Sequence, residues 1–175
     1  MSDFAEGPSV DLRGDVLKIL ADNPIMSVAT LRPDGWPQAT LVGYVSDGLV
    51  LYFLIARDSQ KLRNIRREPR ISIAVGHLSD DRLQLHGLSM AAIAVEITDS
   101  HEIERLNDLT VAHYREQPVF APRGASVAII RVAPKLISLI DARNAHDQAA
   151  LLDVVEDPLS GELSLVRRLR DGLEC

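Results

Sequence analysis

This chain of 175 residues predicts a mainly β protein of the α+β class, a small antiparallel barrel of six or seven strands with helices at its ends. Three observations carry that reading. The period of the apolar residues changes from helical to strand-like after residue 24, and short turns then separate the runs. Residues 49–75 read as strand, polar corner, short basic helix and strand. Apolar residues make up 46% of the chain, enough for a sizeable core, but it holds only three Phe, three Tyr and one Trp. The core must therefore be Val, Ile, Leu and Ala.

Residues 10–21 read as a helix, with Leu12, Val16, Ile19 and Leu20 at helical spacing, Asp11 or Ser9 as N-cap and Asn23-Pro24 as the stop. Strands follow at 26–31, 36–45 and 49–55. The turn Arg32-Pro33-Asp34-Gly35 and the turn Ser46-Asp47-Gly48 connect them into a three-stranded meander. A short helix over 59–67, capped by Ser59 or Asp58, leads to a strand at 70–75. Residues 83–98 form a long β run, interrupted or strongly twisted near Gly87. Asp99-Ser100 caps a helix to about 117. Strands at 125–133 and 136–141 are divided by Pro134-Lys135. The domain reading is a barrel over 1–141 and an extension over 142–175, with short amphipathic helices at 147–155 and 161–173.

The formal charge of −6 repels polyanions and argues against nucleic-acid binding. The single cysteine, Cys175, excludes an intrachain disulfide and a multi-cysteine metal site. No apolar stretch reaches membrane-spanning length, and the N-terminus shows no secretory pattern. The expectation is a soluble cytoplasmic protein with no membrane partner.

The corner Ser59-Gln60-Lys61 is the leading candidate site. Lys61 brings a point charge, Ser59 and Gln60 bring side-chain donors, and a helix start adds backbone N–H groups, a set suited to phosphate. An S-x-K triplet is common, and a capped surface helix explains it equally well. Among the arginines that follow, Arg63 is the best placed to help hold an anion; Arg66, Arg67 and Arg70 read as surface charges. His77, His86, His101, His113 and His146 show neither H-x-H nor H-x-x-x-H spacing. No nucleophile elbow, dinucleotide fingerprint or P-loop is present.

The segments SVATLRPDGWPQATLVGYV, DGLVLYFLIARDSQKLRNIRREPRISIAV and RLQLHGLSMAAIAVEI resemble the FMN-binding split β-barrel proteins related to pyridoxamine 5′-phosphate oxidase. The specific part is the strand followed by S-x-K-x-x-N and P-R-x-S. The resemblance covers about residues 10–141 and implies a homodimer with FMN at the interface and a small-molecule substrate. It implies that Gln38, Ala39, Thr40, Leu41, Val42 and Gly43 run beside the flavin. Leu54 and Ile55 lie along it, Ser59, Gln60, Lys61 and Arg63 form the phosphate corner, and Gln84 reaches across the dimer. The oxidase pattern has basic residues at the places of Gln38 and Gly43, threonine at Ile55 and arginine at Gln60. The chain also lacks the C-terminal Trp and the Arg-Leu-x-Pro ending. These departures point away from pyridoxamine-phosphate oxidation itself. They leave open an FMN-dependent oxidoreductase, an enzyme using the deazaflavin F420, or a non-catalytic flavin- or haem-binding dimer.

Overall fold

A computed structural model describes residues 11–78, 85–114, 126–141 and 150–168. Helix α1 (Leu12–Asp22) starts at Asp11, whose Oδ1 accepts from the Gly14 amide at 2.9 Å, and buries Val16, Ile19 and Leu20. Strands β1 (Ile25–Leu31) and β2 (Pro37–Gly43) form a hairpin around Gly35, whose φ of +86° favours glycine. Strands β3 (Val45–Asp47) and β4 (Val50–Ala56) form a second hairpin. Helix α2 (Gln60–Arg67) follows, then β5 (Arg70–Leu78), β6 (Leu85–Ile97), helix α3 (Ser100–Tyr114), β7 (Val127–Asp141), β8 (Ala150–Glu156) and β9 (Leu163–Arg167).

All strand pairings are antiparallel, and the sheet order is β2-β1-β5-β6-β7-β4-β3, with β8 on β7 and β9 on β8. The sheet curls so that β2, at one end, comes beside β4 without a hydrogen-bonded ladder between them. This open seam is the split of a split β-barrel. The concave face buries Met26, Val28, Leu51, Phe53, Ile73, Met90, Ile130 and Ile137, with Val16 and Leu20 of α1 packed into the same cluster. Aliphatic residues dominate it, as the composition requires. A smaller cluster of Tyr52, Ile97, Ile103, Leu106 and Ile129 holds α3 against the outside of β4 and β7.

Three expectations are corrected. The run over 36–45 is not one strand of a meander. It breaks at Tyr44, whose N–H donates to Pro24 O at 3.2 Å and whose phenol donates to Leu20 O at 2.8 Å. Anchoring this side chain sends the two hairpins to opposite ends of the sheet order. The strands at 125–133 and 136–141 are one strand, β7. Ala91 pairs with Leu136 and Ala92 with Pro134, so a bulge absorbs Lys135. On its other edge β7 pairs with β4 up to Val132 and with β8 from Leu136. Pro134 falls in the gap, where no partner requires its missing N–H.

The third correction concerns the tail, where strands β8 and β9 stand in place of the expected helices. β8 finds the edge that β4 leaves free and buries Leu152 in the main core, while Val154, Leu163 and Leu165 pack against it. The twist expected near Gly87 takes the form of a close backbone approach. Gly87 is the register partner of Gly76, and a Cβ on Gly76 would lie 2.5 Å from His86 O.

Candidate functional site

Helix α2 begins where the sequence reading placed it. Ser59 is the N-cap, its Oγ accepting from the Leu62 amide at 3.2 Å, and its own O–H can still donate. Leu62 and Ile65 bury the helix against the barrel. Asn64 goes in with them, fully buried, and is the one polar residue of α2 on that side.

Asn64 sits at the centre of a network. Its Nδ2 donates to Thr30 Oγ1 at 3.0 Å and to Gln38 Oε1 at 3.2 Å, while its Oδ1 accepts from Gln60 Nε2 at 2.8 Å. Gln60 Oε1 in turn accepts from Arg63 Nη2 at 3.0 Å, and Arg63 Nη1 donates to Asp58 O at 2.6 Å. The chain Arg63–Gln60–Asn64–Gln38 thus couples the corner to the first residues of β2. Gln60 directs its side chain into this network and holds Arg63 in place. Asn64, the last position of S-x-K-x-x-N, has a role that the sequence reading misses. Its signal was an amide between Leu62 and Ile65 on the apolar side of the helix.

Lys61 is half-buried, with Nζ 5.8 Å from the centroid of the Phe53 ring on β4. No carboxylate among the described residues pairs with it. Burial pulls its pKa below the ordinary lysine value. The other cations differ. Arg66 and Arg57 share Glu96, and Arg70 is held by Glu68 at 2.7 Å. Arg67 donates to the backbone oxygen of Arg32. Unneutralised charge at the corner therefore resides on Lys61, Arg63 and Arg67.

Along β2 the residues alternate. Gln38, Thr40 and Val42 are half-buried on the inner side, opposite Thr30, Val28 and Met26, and Ala39, Leu41 and Gly43 are exposed. β2 pairs with β1 alone, so the N–H and C=O groups of its other edge have no strand partner. In β4, Phe53 to Ala56 pair with β7 alone, because β3 covers only Val50 to Tyr52. The seam is thus bordered by two free backbone edges, with α2 at the end nearest Gln38. Thr40 Oγ1 is buried and has no hydrogen-bond partner.

Leu54 and Ile55 point to opposite faces. Ile55 belongs to the main core and Leu54 packs in the cluster under α3. Gln84 lies outside the described residues. A cavity of about 520 Å3 opens on the outer face of β1, β5 and β6, lined by Ser27, Leu41, Ala74, Gly76 and Ser89 among others. Of the candidate residues only Leu41 reaches it, so it is distinct from the corner.

A family model described as pyridoxamine 5′-phosphate oxidase matches residues 12–141. The fold is similar to that of a Listeria innocua protein classed with the pyridoxamine 5′-phosphate oxidases, with TM-score 0.59 and 21% identity over 74% of this chain and 98% of that one. It is also similar to a heme binding protein from Mycobacterium smegmatis, with TM-score 0.65 and 18% identity over 85% of this chain and 60% of that one. A FAD-binding protein from Mesorhizobium loti gives TM-score 0.55 and 18% identity, over 69% and 88% of the two chains. No helix among the described residues is long and apolar enough to cross a membrane. The match spans the barrel from α1 to the end of β7, the elements that build the seam and its corner, and the chain belongs to the pyridoxamine 5′-phosphate oxidase family.

Proposed function

We propose that this chain is a flavin-dependent oxidoreductase acting on a small-molecule substrate, with FMN held in the seam between β2 and β4. The observation that carries the reading is an unneutralised, half-buried ammonium, Lys61, together with a buried hydroxyl lacking a partner, Thr40 Oγ1, on elements bordering one seam. A phosphate at the start of α2 would meet Lys61, the Ser59 hydroxyl, Arg63 and the amides that the cap leaves free. The free edge of β2 from Ala39 to Val42 offers backbone donors and acceptors to a flat heterocycle, and Thr40 can complete that set.

Bound FMN supplies two-electron redox chemistry that no side chain here offers. The chain's own work is to bind, orient and exclude water. Asn64 fixes Gln38 and Gln60, Gln60 fixes Arg63, and the aliphatic core keeps the inner wall of the seam dry.

A second copy of the chain completes the reading. The outer sheet face carries small uncharged residues, Ser27, Ala74 and Ser89, with exposed Ile25 and Leu41 projecting from it. This uncharged, apolar patch suits an isologous dimer contact.

The test is the absorption spectrum of the purified protein, before and after adding FMN, with mass analysis of any released cofactor. Flavin bands and FMN release are expected. Lys61→Ala should weaken FMN by about 2 kcal/mol, roughly thirtyfold, as the loss of a charge-assisted contact does. A protein that stays colourless with FMN, or that releases deazaflavin F420 or haem instead, overturns the FMN assignment. Turnover of a reduced nicotinamide with an electron acceptor separates an enzyme from a binder. Light scattering should give a dimer that Leu41→Glu converts to monomer.

A further inference from the structure

The chain holds three lysines, Lys18, Lys61 and Lys135, in different surroundings. Lys18 is exposed on α1 and pairs with Asp22 at 2.8 Å. Lys135 is exposed in the β7 bulge. Lys61 alone of the three is half-buried, with its Nζ over the Phe53 ring and no carboxylate partner among the described residues. Burial lowers its pKa, so at a given pH more of it is the neutral, nucleophilic amine than of a solvated lysine.

Donors for an oxyanion stand on the same stretch of chain. The amides of Gln60 and Lys61 donate to nothing among the described residues, because the Ser59 cap engages only Leu62 and Arg63. Arg63 commits three of its five N–H groups to Gln60 and Asp58 and keeps two.

We infer that Lys61 is an acylation site, modified by small acyl phosphates that seat their phosphate on these donors. In such a molecule the acyl carbon lies two bonds from phosphorus, so an amine beside the phosphate also reaches that carbon. Nζ first gives a proton to water and then attacks. The N–C bond forms, the C–O bond to phosphate breaks, and the electron pair leaves with the phosphate, which takes the second amine proton. The products are an amide on Lys61 and hydrogen phosphate, and nothing is oxidised or reduced. The amide carries no charge, so acylation and the seating of a cofactor phosphate exclude each other. Acylation rests on the phosphate reading of the corner, not on flavin binding.

The test incubates the full chain, washed free of bound cofactor with potassium bromide, with acetyl phosphate and follows each lysine by peptide mass spectrometry. Lys61 should acetylate about tenfold faster than Lys18 or Lys135, as a reagent held beside its nucleophile does. N-acetoxysuccinimide, an acetyl donor without phosphate, should narrow that preference, and inorganic phosphate should suppress it. Arg63→Gln should slow Lys61 and leave Lys18 and Lys135 as they are. Equal rates at the three lysines, or a preference that survives excess phosphate, overturns the site. FMN titration of the untreated chain is read separately. Even labelling of a chain that binds FMN sinks the acylation site alone, and selective, phosphate-sensitive labelling of a chain that binds no FMN sinks the flavin reading alone.

Discussion

Asn64 Nδ2 lies 3.2 Å from Gln38 Oε1, so a fully buried amide on α2 holds the second residue of β2 in place. Through the same residue the bond continues to Gln60 and Arg63. The phosphate corner and the flavin edge of the proposed site are therefore one mechanical unit.

Asn64→Ala removes a donor shared by Thr30 and Gln38 and the acceptor of Gln60. Buried Thr30 and half-buried Gln38 and Gln60 each lose a bond, so the cost should be about 3 kcal/mol in urea unfolding. Flavin affinity should fall as well, because Gln60 and Arg63 lose their anchor. Wild-type stability in this variant would show that the network is not what joins α2 to β2.

Thr40→Val tests the unpartnered hydroxyl. Without ligand the hydroxyl is an uncompensated buried polar group, so its removal should stabilise the protein by about 1 kcal/mol. If the hydroxyl serves the flavin, affinity for FMN should fall by about fivefold in the same variant. Thermal melts with and without FMN read both effects, and a variant with no change in either would detach Thr40 from the site.

Gly76→Ala places a methyl group 2.5 Å from His86 O and 2.8 Å from Gly87 Cα. Both obstacles are backbone, so the β5–β6 ladder must open. A loss of about 2–3 kcal/mol is expected in denaturant unfolding, the range of overpacking. Gly35→Ala makes a useful contrast: nothing lies near its Cβ, and only its positive φ is strained.

Acid should weaken the fold through two carboxylates. A hydrogen bond from the Arg70 side chain, with further help from the Arg70 amide, holds Glu68 at about 2, against an ordinary value of 4.5. Burial pushes Glu96 up, but bonds from Arg66 and Arg57 outweigh it and leave its pKa lowered. A carboxylate whose folded pKa is depressed stabilises the fold above its unfolded value and loses that contribution as pH falls through the folded one. Stability measured by urea midpoint should therefore decline from about pH 4.5 downward. Glu68→Gln and Glu96→Gln should each flatten that decline, and an unchanged slope would remove these pairs from the account.

Residues 59–67 illustrate what local information can establish. Capping by Ser59, burial of Leu62 and Ile65, and the breaker pair Glu68-Pro69 all act within a few residues, and the helix lies where they put it. The same segment shows the limit. Whether Gln60 faces a ligand or a neighbour depends on Asn64, and what Asn64 meets depends on Thr30 and Gln38, more than twenty residues away in the chain.

Residues 134–167 show the limit from the other side. Pro134 reads locally as a break, yet the strand continues because β4 has ended and β8 has not begun. The tail carries enough helical spacing to read as amphipathic helices, yet a free strand edge on β7 with room in the core for Leu152 draws it into the sheet. Propensity is worth tenths of a kcal/mol per residue, whereas a completed ladder and a buried leucine outweigh it.

The β-rich class, the capped basic corner and the family are legible in the order of residues, because they rest on short-range periodicity, turn chemistry and a local motif. The place where the barrel splits, the cations left unneutralised and the polar groups that meet emerge from the folded sheet alone. Those outcomes depend on strand edges and buried partners that are distant in the chain and come together only when the sheet curls.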